Sequence, residues 1–306
     1  MALSELRSPP AARGADDALR LVTLAPEDID AGLALSDAAG WNQTADDWAI
    51  FIRHGHAIGF RDAGDRLVAT AAALPYGARV GWISMVLVAD AWRHRGLASA
   101  LLAACVERLR AAHIVPVLDA TPAGAAVYAR TGFAAGFESD RWEWKAASVQ
   151  SGAAKDALSS RALAVHPADS NDLDAIAALD RASNDLERRF VLESFLSRPG
   201  TRAWLSNTGK GFVVARDGRR ATQIGPLVAG SESEAIDLLA AAFAAARATA
   251  DRDAFLDLPR GRPALRDWLE ARGFVRQRPF VRMSLGAAQP PTLGETGFIL
   301  AGPEFG

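Results

Sequence analysis

VADAWRHRGLASALL, residues 88–102, joins an apolar run ending at Val88 to a helical pattern beginning near Leu97. Upstream, ISMVLV (83–88) reads as a buried strand. Downstream, Leu97, Leu101, Cys105 and Leu109 recur every four residues and mark one buried helical face. The turn between them holds Arg93, His94, Arg95 and Gly96. A helix N-terminus offers unpaired N–H groups and a partial positive charge, so an anion placed there needs little else. Gly96 has no Cβ and lets the backbone approach such an anion. Ala98 keeps the first turn small, and Arg93 and Arg95 add charge-assisted donors. The turn has the parts of a pyrophosphate cradle. It is not a P-loop, since no Gly-Lys-Ser/Thr is present, nor a dinucleotide fingerprint, since Arg93 takes the first glycine position. By itself RHRGLA also reads as an ordinary solvated helix start, and the surroundings must separate the two.

Outward from this turn, the first half begins with a strand over 19–24. Helices follow over 26–39, with Pro26 in the first turn, and over 44–54, with Thr44 as N-cap. Strand-like runs follow at 56–61, 66–74 and 78–88, separated by Gly64-Asp65 and Pro75-Tyr76-Gly77. Beyond the helix at 97–109, residues 114–120 form a strand, 122–131 a short helix and 141–145 an antiparallel-type strand. The second half repeats the order. It has a strand at 161–167, a helix at 171–182, a hairpin at 211–229, a helix at 233–248, a strand at 254–259, a helix at 263–274 and a strand at 280–285. LVA at 87–89 recurs at 227–229, a shift of 140, and Gly132-Phe133 recurs as Gly273-Phe274, a shift of 141. Near-equal shifts over that distance predict an internal duplication.

The bulk numbers agree with two domains of ordinary size: 306 residues, half of them hydrophobic. A net charge of −2 gives no drive toward nucleic acid or anionic membrane, and no basic stripe is present. One cysteine, Cys105, excludes a disulfide framework. No signal peptide and no apolar run long enough for a membrane span is present, so a cytoplasmic protein is expected. The five histidines lack metal-ligand spacing, and no metal is expected. The expected organisation is a disordered N-terminus (1–17), a first domain (18–146), a linker (147–160), a second domain (161–286) and an irregular tail (287–306).

Further along from RHRGLA comes YARTGF (128–133). An Arg/Gln-x-x-Gly-x-Gly/Ala loop directly after an apolar strand, followed by Tyr-x-x-x-Gly-Phe, resembles the GNAT N-acetyltransferase superfamily over residues 18–146. The resemblance implies an α/β (α+β) protein whose tandem domains are each a mixed, mainly antiparallel sheet flanked by helices. It implies acetyl-CoA as donor, with direct transfer of the acetyl group to an amine. Val86, Leu87 and Val88 would present strand backbone to the pantetheine arm. Arg93, His94, Arg95, Gly96, Leu97, Ala98 and Ser99 would hold the pyrophosphate, and Tyr128 would sit beside the thioester sulfur. The residue types suit the chemistry, because open strand N–H groups can stabilise an oxyanion and a phenol can protonate a leaving thiolate. Tyr128 also reads as a helix residue packed near Phe133. The general base is left open: Asp46, Asp119 and Glu138 are candidates, and each also reads as a cap or surface charge.

Shifted by 140, the second half places Ser233, Glu234, Ile236 and Leu238 where the first has Arg93, His94, Gly96 and Ala98. A carboxylate and a β-branched side chain both oppose anion binding. Leu269 stands four residues before Gly273, where the first half has Tyr128. The chain is similar in this to bacterial tandem GNAT proteins with an active first copy and a divergent second. GWNQTADDW (40–48) offers Trp41, Asn42, Gln43, Asp46 and Trp48 as an aromatic and acidic lining for a cationic amine, small-molecule or protein. The same stretch also reads as a helix boundary with Trp48 in the core and Thr44 capping. Arg188 or Arg189 is a further candidate acceptor contact. A non-catalytic acyl-CoA-binding or sensing module is the alternative function, and the oligomeric state is left open.

Overall fold

Capping chemistry fixes where the first helices begin. In the computed structural model, which describes residues 18–147, 164–248, 252–286 and 293–306, β1 (Arg20–Thr23) leads into a 3-10 turn at Pro26–Asp28 and then α1 (Ile29–Ala38). The Asp28 carboxylate accepts the Ala25 N–H at 2.9 Å. At α2 (Ala45–His54), Thr44 Oγ1 accepts the Asp47 N–H at 3.3 Å and Asp47 accepts the Thr44 N–H at 2.8 Å, a reciprocal capping box. β2 (His56–Arg61), β3 (Leu67–Tyr76) and β4 (Val80–Val88) follow, then α3 (Leu97–Ala111). The four strands form an antiparallel meander in chain order. β3 is alanine-rich and buried along nearly its whole length, so helices pack closely on it. Gly81 is another close approach: a Cβ there would lie 2.3 Å from Leu109 of α3. The expected N-terminal stretch 1–17, nearly all of the expected linker 147–160 and the tail residues 287–292 lie outside the described residues.

The chain divides into compact units between Ile114 and Val115. The sequence repeat places the boundary near residue 146, and the reason for the difference lies inside the second unit. That unit holds β5 (Val115–Ala120), α4 (Pro122–Arg130), β6 (Ala134–Trp144), β7 (Val165–Ala168), α5 (Leu173–Asn184), α6 (Arg189–Leu196) and β8 (Arg202–Ser206). β9 (Phe212–Asp217), β10 (Ala221–Val228), α7 (Glu232–Ala248), β11 (Asp253–Pro259), α8 (Pro263–Glu270), β12 (Val275–Ser284) and β13 (Gly297–Ile299) complete it. β7 to β10 repeat the meander of β1 to β4. The closing strands are exchanged between the repeats. β12, from the second repeat, lies between β5 and β6 of the first, while β6 lies between β12 and β11.

Two buried ion pairs sit at matching places in this exchange. Asp119 on β5 faces Arg282 on β12, and both bonds of the bidentate pair are 2.9 Å. Asp257 on β11 faces Arg141 on β6, with bonds of 2.9 and 2.8 Å. In each pair a carboxylate from one repeat meets a guanidinium from the other. The duplication is therefore visible in side-chain chemistry as well as in element order.

Candidate functional site

The first unit holds the phosphate-type turn, and its geometry starts inside β4. Thr70 of β3 pairs with Leu87 and Ala72 pairs with Ser84, so Met85 and Val86 together face Ala71 alone. This is a β-bulge. Met85 adopts φ +55°, a conformation that an unbranched but bulky side chain rarely takes, and Thr70 Oγ1 donates to its carbonyl at 2.8 Å. The bulge bends β4 just before Val86, Leu87 and Val88, of which Leu87 is buried and the two valines are partly exposed. Ser84, one residue before it, keeps a buried hydroxyl with no hydrogen-bond partner among the described residues.

Beyond Val88 the chain makes a short 3-10 turn at Asp90–Trp92, then reverses through left-handed residues His94 (φ +62°) and Gly96 (φ +80°). Gly96 is the N-cap of α3 and supplies no side chain, and the first turn carries no acid. The N–H groups of Leu97, Ala98 and Ser99 are thus left for an outside acceptor. A Cβ at Gly96 would meet nothing within 4 Å, so the space over the turn is open. Arg93 pairs with Asp90 at 2.7 Å, and the Arg95 guanidinium lies 4.7 Å from the Trp92 ring centre. Arg93, His94, Arg95, Gly96 and Ser99 are exposed, Ala98 is partly so and Leu97 is buried.

The residues expected to line the acceptor side separate by burial. Trp48 has no exposed surface and donates from Nε1 to Ser36 Oγ at 3.2 Å. A Cβ at Gly32 would lie 2.8 Å from its ring, so Trp48 joins α1 to α2 as a core residue. Asn42 and Gln43 are buried, and Gln43 Oε1 has no hydrogen-bond partner among the described residues. Trp41 is partly exposed and Asp46 is exposed in the first turn of α2.

In the second unit, α4 is opened by Pro122 and by Thr121, whose hydroxyl accepts the Gly124 N–H at 3.3 Å. Tyr128 is partly buried, with its ring centre 6.1 Å from that of Phe133. Gly124, one turn earlier, leaves room for that ring: a Cβ would be 3.0 Å from Tyr128 Cε2. Burial pushes the phenol above its usual pKa, so it is held protonated. Of the open base candidates, Asp119 is committed to Arg282, and Glu138 pairs with Arg260. Arg188 is fully buried, donating from Nε and Nη2 to Asp180 at 2.8 Å and from Nη1 to the Phe305 carbonyl, while Arg189 is exposed and pairs with Asp174.

The second repeat carries the same bulge and closes it. Ile224 pairs with Ala215 and Leu227 with Val213, so Gly225 and Pro226 face Val214 alone, at the repeat positions that match Met85 and Val86. β10 and β11 pair only over Ala221–Gln223. Past that point β13 takes the open edge, with Leu227 facing Ile299 and Val228 facing Gly297. The Leu300 N–H donates to the Asp257 carbonyl at 3.0 Å, so the strand fills the parting between β10 and β11. At the start of α7, Glu234 accepts the Gly230 N–H at 2.6 Å. Three features here have no local signal in the sequence: the bulge at Met85, the orphaned Ser84 hydroxyl and the strand inside the expected irregular tail.

A model of the acetyltransferase (GNAT) family matches residues 30–133, and a model of an acetyltransferase (GNAT) domain matches residues 176–298. No curated protein sequence matches the chain. Among solved structures, a protein described as an acetyltransferase from Pyrococcus horikoshii superposes with a TM-score of 0.77 at 18% identity, covering 99% of this chain and all of that one. A tandem GNAT protein from the clavulanic acid biosynthesis pathway gives 0.60 at 15% identity, covering 87% and 98%. A GCN5-related N-acetyltransferase from Kribbella flavida gives 0.54 at 23% identity, covering 88% and 71%. With one family match on each repeat and the strand–turn–helix geometry of the first, the chain belongs to the GNAT acetyltransferase superfamily as a tandem protein of two GNAT domains.

Proposed function

We propose that the protein is an acetyl-CoA-dependent N-acetyltransferase acting on a primary amine, with the active site in the first repeat and a second repeat that does not bind coenzyme. The observation that carries this reading is the bulged β4 running into the open, uncapped start of α3. Val86, Leu87 and Val88 would pair with the pantetheine arm, and the N–H groups from Gly96 to Ser99 would take the pyrophosphate, with Arg93 and Arg95 beside them. Bound acetyl-CoA supplies an activated thioester carbonyl to the attacking amine. Strand N–H groups freed by the bulge stabilise the developing oxyanion. Tyr128, kept protonated by burial, donates to the departing thiolate. That Tyr128 and the turn serve one coenzyme rests on the order of the two motifs in the family.

Two features support an inactive second repeat. β13 lies along the edge that corresponds to the pantetheine strand, and Glu234 stands at the helix start that corresponds to the pyrophosphate turn. One coenzyme per chain follows. Thermal unfolding with and without acetyl-CoA, in wild type and Gly96→Glu, tests the site. Ligand at a hundredfold over its Kd stabilises by about 2.7 kcal/mol, and the variant should lose that gain. An amine panel with Tyr128→Phe then tests turnover, where loss of a general acid costs about 10²–10⁴ in kcat. No stabilisation of the wild type sinks the reading. Stabilisation with no turnover on any amine would leave an acyl-CoA sensor.

A further inference from the structure

A cavity of about 620 Å³ opens in the second unit beside β6, β11, α8 and the start of β12. Its charges are lopsided, with Arg260, Arg262, Arg266 and Arg276 against Asp140 and Glu270. Asp140 serves two of the arginines, Arg260 at 3.1 Å and Arg276 at 2.6 Å, and Arg260 also pairs with Glu138. Arg266 leans on its exposed neighbour Asp267. Arg262 is half-buried and has no carboxylate within ion-pair distance among the described residues. It donates instead to the carbonyls of Glu295 and Gly297, at 2.8 and 2.7 Å, with its guanidinium 4.3 Å from the Phe298 ring centre. Burial holds its pKa below the usual arginine value, and Glu232 and Glu295 offset that only through space. Arg262 is also the N-cap of α8, where no side chain caps the helix and the first turn holds no acid. Trp142 lines the same cavity at 5% exposure, and its indole N–H has no acceptor among the described residues.

The rest of the lining is apolar. Leu258 and Phe274 are buried, and Val275 is 67% exposed, unusual for a large aliphatic side chain. The half-buried Arg262, the half-exposed Arg276 and the uncapped helix start between them all favour an oxyanion. The apolar wall wants something attached to it, and the volume suits a small ligand. We infer that this cavity binds a small organic anion, with its carboxylate or phosphate on Arg262 and Arg276 and its apolar body against Trp142 and Val275. None of these residues belongs to the proposed coenzyme or acceptor site.

The test is a titration of the full chain with phenyl phosphate, benzoate and inorganic phosphate at constant ionic strength, following indole ¹⁵N–¹H resonances. Trp142→Phe assigns the relevant peak. The expected result is a saturable shift of the Trp142 signal with an aromatic anion, weaker with inorganic phosphate. Phenyl phosphate binding tighter than benzoate identifies phosphate as the preferred oxyanion, and the reverse identifies carboxylate. Arg276→Gln should weaken binding about tenfold or more, the loss of one charged hydrogen bond. Arg262→Gln should do the same, and Arg276→Gln serves alone if that variant misfolds, because the Arg276 guanidinium is half-exposed and its ion pair is with Asp140. A linear shift, or saturation unchanged in Arg276→Gln, overturns the site. Inorganic phosphate binding as tightly as phenyl phosphate overturns the apolar half of the assignment.

Discussion

Replacing Asp119 by Leu should be among the most damaging single changes in the second unit, and replacing Arg282 by Met along with it should repair most of the damage. The two side chains form a bidentate pair with 2.9 Å bonds and are 2% and 3% exposed. Removing the carboxylate alone strands a buried guanidinium, at a cost of about 3–5 kcal/mol. Removing the guanidinium alone strands a buried carboxylate, which can escape part of that cost by taking up a proton. With both gone and the volume kept, no charge is left to desolvate, and such swaps are often neutral or stabilising. The coupling energy of the cycle should therefore be several kcal/mol, far above the roughly 0.5 kcal/mol within which independent sites add. Urea unfolding followed by tryptophan fluorescence measures it, since Trp142 and Trp144 lie on the neighbouring strand β6. The matching pair Asp257–Arg141 should behave alike and cost at least as much, because Gln223 Nε2 also donates to Asp257 at 3.1 Å. Single substitutions costing under about 1 kcal/mol, or an additive cycle, would refute the view that these pairs latch the exchanged strands.

Three other outcomes are expected. Gly225→Ala should free β13, because its Cβ would lie 2.1 Å from the Leu300 carbonyl oxygen and φ is +135°; fast amide exchange at Phe298 and Ile299 reports this, and unchanged protection contradicts it. Burial, with Arg108 nearby, lowers the pKa of His56, so folding favours its neutral form. The unfolded chain then binds more protons below its usual value of 6.5, and stability should fall as pH drops through that value toward the folded one; His56→Gln should flatten the slope in urea midpoints. Burial pushes the Cys105 thiol up to about 12, so native protein should resist thiol reagents near neutral pH and react fully once unfolded. Native labelling at the rate of a free thiol would show that the packing of α3 against the sheet is wrong.

The sequence carries most of the local architecture and little of the pairing. The four-residue spacing of Leu97, Leu101, Cys105 and Leu109 is a property of one helix, and all four are buried as that spacing requires. Gly96 is legible for the same reason, since a helix start without a side chain has few alternatives. The alternation predicts β6 only over 141–145, yet the strand runs from Ala134, because its first half is stabilised by pairing with β12 of the other repeat. The pattern likewise starts β12 at 280 rather than Val275, for the reciprocal reason. α6 and β8 are absent from the sequence expectations, although Val191, Leu192 and Phe195 lie at helical spacing and are buried in α6, and Trp48 offers the same letters whether it walls a pocket or fills the core. The bulge at Met85 depends on Ala71 across the sheet, and ISMVLV by itself reads as a plain strand.

The two repeats show what a duplicated groove requires. A bulge at residues 85–86 and its copy at 225–226 each interrupt the pairing of a strand with its neighbour and leave backbone N–H and C=O groups to find other partners. Backbone groups in a protein interior must find partners, and an open strand edge invites them. On the reading proposed here, the first repeat meets that need with a ligand, and its turn stays bare and positive. The second meets it with protein. β13 supplies the hydrogen bonds along the edge of β10, and the Glu234 carboxylate supplies the anion at the helix start. Burial alone would raise the pKa of Glu234, but its bonds from Thr208, Ser206 and the Gly230 N–H outweigh that and hold it below the usual range. On the same reading Ile236, at the position that matches Gly96, needs no bare backbone, since no pyrophosphate has to approach there. On that reading the second repeat holds, where each ligand group would sit, a piece of its own chain that offers hydrogen bonds of the same kind.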